Sequence, residues 1–61
     1  MKRVDLIRKL EREGCLLIRN GGKHDWYQNP KTGESQPVPR HREIKEFLAK
    51  HILQKLKIGP V

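Results

Sequence analysis

The stretch Asn20-Gly21-Gly22-Lys23-His24-Asp25-Trp26-Tyr27 carries the residues best suited to chemistry. Histidine moves protons near neutral pH, lysine offers phosphate a point charge, and glycines let a backbone approach a ligand closely. Together these types suit a phosphodiester. RNA brings its own nucleophile, the 2′-hydroxyl beside each phosphate. A protein acting on it need only remove that proton, protonate the leaving 5′-oxygen and steady the charged phosphorane. One positioned imidazole typically contributes about 10²–10⁴-fold to such proton transfer. Cations and free backbone N–H groups stabilise the developing charge. Against this stands a plainer reading. A lone histidine is more often structural or incidental, and Gly21-Gly22 is also an ordinary turn, without the full spacing of a phosphate-binding loop.

The other two histidines read less sharply. His41 falls where a third strand gives way to the last helix. It is either a second acid–base group or a helix-start residue, and with no glycine-rich partner nearby the second reading is preferred. His51 sits at the flank of a helical apolar stripe and reads as a partly buried packing residue. The spacing of the three matches no metal-ligand pattern. Trp26 and Tyr27 are neighbours on a strand, so one ring is expected in the core and the other nearer solvent, where an aromatic can stack an unpaired base.

Size and charge set the partner. A chain of 61 residues reads as one domain, residues 1–61. It buries only about 60% of the surface its unfolded chain exposes. That leaves no room for a deep enclosed pocket, and favours an open patch acting on a polymer over a site for a small metabolite. Fourteen Lys and Arg against seven Asp and Glu give a formal charge of +7, which points to a polyanion such as nucleic acid. The single cysteine, Cys15, excludes an internal disulfide and a cysteine metal site. It fits a reducing cytoplasm and a small buried hydrophobe ahead of Leu16-Leu17-Ile18. No apolar run is long enough for a signal peptide or membrane span.

The elements that must hold these residues follow from periodicity. Leu6, Ile7 and Leu10 give a narrow apolar stripe and a helix over 4–13, which Gly14 ends in a left-handed conformation. A short strand over 15–19 follows, then the turn at Asn20-Gly21-Gly22. A second strand over 23–29 puts His24, Trp26 and Gln28 on one face and Asp25 and Tyr27 on the other. Pro30-Lys31-Thr32-Gly33 closes a hairpin, and the return strand over 34–40 carries Pro37 and Pro39, which confine it to a sheet edge. The spacing of Ile44, Leu48, Ile52 and Leu56, with Phe47 and Leu53 beside them, predicts a last helix over 43–57, ended by Gly59-Pro60. The fold class is α+β: a two-layer α-β-β-β-α arrangement, with two helices on one face of a three-stranded antiparallel sheet.

The ordered series Gly14-Cys15, Gly22-Lys23-His24, Tyr27, Asn29-Pro30, Val38-Pro39-Arg40-His41, Glu43-Ile44 and Ile52-Leu53 closely resembles HicA toxins. These are the YcfA-like group of bacterial and archaeal mRNA interferases. The match spans nearly the whole chain, and it is the ordered set that is specific rather than any one motif. The resemblance implies a double-stranded-RNA-binding-domain-like fold and a toxin of a toxin–antitoxin pair. Such a toxin cleaves mRNA without a metal or other cofactor, acts in the cytoplasm, and is neutralised by a HicB-type antitoxin covering the active surface. The family's catalytic histidine, which follows a Gly-Ser pair, corresponds to His24; Lys23 replaces the serine, losing a hydroxyl and gaining a cation. Cys15 stands where an aromatic is common, and Phe47-Leu48 where the family often starts its last helix with Gly-Thr. With His24 as general acid/base, the residues expected against RNA are Lys23, Arg19, Gly22, Arg40 and Arg42.

Two other readings use the same residues. A non-catalytic RNA-binding module on this fold would grip RNA through shape and backbone contacts and would not depend on His24. An interaction protein would turn its basic face to an acidic protein partner and would not bind RNA.

Overall fold

A computed structural model describes residues 1–59 of the chain. The elements follow in the expected order: α1 (Arg3–Arg12), β1 (Leu16–Asn20), β2 (His24–Gln28), β3 (Ser35–Pro39) and α2 (Glu46–Lys55). The strands form one open antiparallel sheet in the order β1-β2-β3. This is the α-β-β-β-α, α+β arrangement predicted from periodicity.

Both helices stop by the same device. After α1, Gly14 takes φ 88°, its N–H donates to Glu11 O, and Cys15 N–H reaches back to Leu10 O. After α2, Lys57 takes φ 59°, its N–H donates to Gln54 O, and Ile58 N–H reaches Leu53 O. Each is a Schellman pair, which satisfies carbonyls the helix would otherwise leave open. The expected stop at Gly59-Pro60 is therefore corrected: Lys57 turns the chain, and Pro60 lies outside the described residues. Burial of Ile58 in the core accompanies this left-handed lysine.

The inner face of the sheet presents Tyr27 and Val38 to Leu6 and Leu10 of α1 and to Ala49, Ile52 and Leu53 of α2, with Leu56 just beyond. Each fully buried leucine or isoleucine contributes roughly 1.5–3 kcal/mol. Cys15 belongs to this core, and burial pushes its thiol up, as befits an unreactive small hydrophobe. The alternation resolves the two aromatics: Tyr27 is 7% exposed, while Trp26 is half-buried on the outer face. The outer face carries His24, Trp26 and Gln28 beside Pro39, Pro37 and Ser35, their partners across β2 and β3. Both prolines lie on an edge strand, as their missing N–H groups require.

Three expectations for α2 are corrected. It begins at Glu46 rather than at residue 43. The segment ahead of it spends its backbone bonds on the N-terminal residues instead: Glu43 bridges Lys2, Ile44 N–H donates to Met1 O, and Arg42 O accepts from Arg3 N–H. Ile44 is buried all the same, so its spacing mimics a helical position that it does not occupy. Phe47 is 71% exposed rather than part of the apolar ridge, because a residue two before Ala49 points about 200° away from the buried face. His51, two residues after Ala49, is exposed for the same reason, not a packing residue.

Candidate functional site

The loop Gly21–Lys23 joins β1 to β2 and delivers His24 at the first position of β2. Its geometry needs one of its two glycines. Gly21 N–H donates to His24 O at 2.8 Å, and a Cβ on Gly21 would stand 2.9 Å from that same oxygen. A Cβ on Gly22 meets nothing beyond its chain neighbours within 4 Å, so a side chain there would point into open space.

Arg40, just past β3, clasps this loop. Its Nη2 donates to Gly21 O at 2.7 Å and its Nη1 to Gly22 O at 3.1 Å. Nη2 and Nε both donate to Asp25 Oδ1, at 2.7 and 3.1 Å. Four of the five N–H groups of a guanidinium are thereby engaged. Asp25 lies on the inner face and is shared with Arg3, whose Nη2 donates to Asp25 Oδ2 at 2.9 Å while its Nε donates to Pro39 O at 2.8 Å. The hydrogen bond from Arg40, aided by the charge of Arg3, holds the Asp25 carboxyl below the usual carboxylate range. A carboxylate on a core-facing strand position must find such cations. That rule could have flagged Asp25 in the sequence, but not which arginines answer it.

The expected site residues divide into three groups. Gly22, Lys23, His24 and Arg40 line one open cleft of about 320 Å³, and His41 lines it too. Lys23 and His24 are exposed, and no carboxylate lines this cleft among the described residues. Arg42 falls instead in a larger neighbouring groove of about 760 Å³, with Lys2, Arg3, Val4 and Ile7; the two depressions share Arg40. Arg19 lines neither, yet it pairs with Trp26 across β1 and β2 and so shares the outer face with His24. A bulge between Leu17 and Arg19 puts it there; in unbroken register Arg19 would oppose Asp25 and point inward.

Two further side chains matter structurally. Asn29, 5% exposed, donates from Nδ2 to Leu56 O at 2.7 Å and accepts Lys31 N–H at Oδ1 at 3.0 Å. It ties the β2–β3 turn to the end of α2, at the opposite end of β2 from His24. Among the described residues no three His, Cys, Asp or Glu side chains are grouped as a metal site. No described helix is long and apolar enough to cross a membrane.

An open-sheet α+β protein with a cationic, histidine-bearing cleft at one end of the sheet is the class that fold and site define. The family model described as HicA toxin of bacterial toxin-antitoxin matches residues 4–58, and the chain belongs to the HicA toxin family. No curated protein and no solved structure matches it.

Proposed function

We propose that this member of the toxin family is a metal-independent endoribonuclease acting on mRNA, a single toxin domain with His24 as its proton-transfer group. The observation that carries the reading is the cleft at the head of β2, where His24 and Lys23 are exposed beside an exposed Gly22. In this reading Lys23 and Arg42 neutralise phosphates, and Arg19 does so from the outer face. Gly22 lets a phosphate approach the main chain, and Arg40 holds the loop in shape. His24 takes the 2′-hydroxyl proton, the 2′-oxygen attacks phosphorus, and the products carry a 2′,3′-cyclic phosphate and a 5′-hydroxyl. A HicB-type antitoxin, meeting the +7 charge with an acidic face, would silence the toxin by covering this cleft. The cytoplasm, where mRNA is found, is its proposed place of action.

The test incubates the purified protein with single-stranded RNA in EDTA, beside His24→Ala. Cleavage by the wild type that falls about 10²–10⁴-fold in the variant is expected. Equal cleavage by both overturns the assignment.

A second reading, a non-catalytic RNA-binding module, draws support from cations well outside the cleft, such as the exposed Arg8 and Arg12 of α1. It predicts salt-sensitive binding of RNA that stays intact, with His24→Ala binding as the wild type does.

A further inference from the structure

We propose that His41 is a second catalytic residue, the general acid that protonates the departing 5′-oxygen. This rests on the endoribonuclease reading above. Cleavage by an internal 2′-hydroxyl needs two proton movements at two places: one proton leaves O2′ and another arrives at O5′. The attacking and leaving oxygens stand roughly in line on opposite sides of phosphorus. A single imidazole beside O2′ is therefore badly placed to serve O5′ as well.

The fold supplies the second imidazole. His24 opens β2 and pairs with Pro39, the last residue of β3. His41 follows Pro39 by two residues, so the two histidines leave the same end of the sheet from adjacent strands. Both are exposed and both line the cleft with Gly22, Lys23 and Arg40. Among the described residues neither ring has a hydrogen-bond or ion-pair partner, whereas Arg40 between the strands has four of its five N–H groups engaged.

The segment that carries His41 is also fixed. Arg40 on one side is bound to Asp25 and to the carbonyls of Gly21 and Gly22. On the other side Arg42 O accepts Arg3 N–H at 2.8 Å. One hydrogen bond further back, Pro39 O accepts Arg3 Nε at 2.8 Å. Residue 41 thus lies between two held neighbours, and one of them, Arg40, grips through its side chain the loop that carries Lys23 and leads into His24. Such anchoring is what a pair of proton-transfer groups needs.

The step balances without a co-reactant. The 2′-proton passes to His24 as the O2′–P bond forms. The P–O5′ bond breaks, and its electron pair takes the proton that His41 holds as imidazolium. His24 ends protonated and His41 neutral, and exchange with water restores both.

The test uses two RNA oligonucleotides of one sequence, one natural and one with sulfur replacing the bridging 5′-oxygen at the cleaved linkage. A thiolate leaves without being protonated, so the sulfur substrate has no need of a general acid. His41→Gln is expected to cleave the natural substrate about 10²–10⁴-fold more slowly than the wild type, and the sulfur substrate at nearly the wild-type rate. That second rate also shows that the variant is folded. His24→Ala is expected to be slow on both. Wild-type rates for His41→Gln on the natural substrate, or an equal loss on both substrates, overturn the role of His41 while leaving His24 in place. If the wild type leaves natural RNA intact, the ribonuclease reading falls and this proposal falls with it.

Discussion

Arg40 and Asp25 join β3 to the strand that carries His24, with Nη2 and Nε of the arginine meeting one carboxylate oxygen at 2.7 and 3.1 Å. The same guanidinium holds the carbonyls of Gly21 and Gly22. A residue that sequence alone offers as a phosphate binder thus also shapes the loop, with four of its five N–H groups engaged there and at Asp25.

This distinction is measurable. If Arg40 acts by its fork of donors, Arg40→Lys behaves like Arg40→Ala, because an ammonium cannot span Asp25 and two carbonyls at once. Both variants are expected to cleave RNA at least tenfold more slowly than the wild type, with the loss in kcat rather than KM. Full activity in Arg40→Lys would mean that charge alone is what the position supplies.

Asp25 makes a pH prediction with a definite sign. Its folded pKa lies below the ordinary value, so in the window between the two values the unfolded chain binds more protons. Stability from this group is complete above the unfolded value of about 3.9 and is lost as pH falls below it. Thermal melts of wild type and Asp25→Asn should show a constant gap from neutral pH down to about pH 5 that closes below about pH 4. A gap that widens on acidification contradicts the assignment.

The two glycines of the β1–β2 loop should separate. Gly21→Ala must move the His24 carbonyl, 2.9 Å from the new methyl, and is expected to lower both the melting temperature and RNA cleavage. Gly22→Ala has open space around it and should melt within about 0.5 kcal/mol of the wild type. Its cleavage nevertheless falls if phosphate passes close to that backbone. Unchanged cleavage in Gly22→Ala removes Gly22 from the interface.

Asn29 tests stability apart from chemistry. Asn29→Ala leaves Leu56 O without its buried donor and should cost about 1–3 kcal/mol, a fall of about 4–8 °C in Tm for each kcal/mol. Well below that Tm, cleavage by the variant should match the wild type, since the change lies at the far end of β2 from the cleft.

What was legible in the sequence, and what was not, follows the range of the forces involved. Period-two alternation placed Tyr27 and Trp26 on opposite faces, and Gly14 announced the end of α1, because both are local. Pro37 and Pro39 announced an edge strand for the same reason. The start of α2 was not legible: Ile44 keeps helical spacing while its backbone is bonded to Met1, about forty residues away. Phe47 and His51 differ from expectation for the same cause: a stripe counted from Ile44 places them near the apolar ridge, whereas the buried face of α2 is centred on Ala49, Ile52 and Leu53. Arg19 reaches the outer face only through a bulge, which no residue type in Leu17-Ile18-Arg19 signals. The commitment of Arg40 to Asp25 spans fifteen residues and depends on strand register. His24 stands out by residue type, whereas the cleft it shares with His41 emerges only when β2 and β3 are paired.

The central claim, that the ribose supplies the attacking oxygen and His24 moves its proton, is tested most directly on an RNA with a single 2′-deoxyribose at a mapped cleavage position. In EDTA the all-ribose strand should be cut there to a 2′,3′-cyclic phosphate and a 5′-hydroxyl, and the deoxy-substituted strand should stay whole at that position. Cleavage of the deoxy linkage, or ends bearing a 3′-hydroxyl and a 5′-phosphate, would contradict the account.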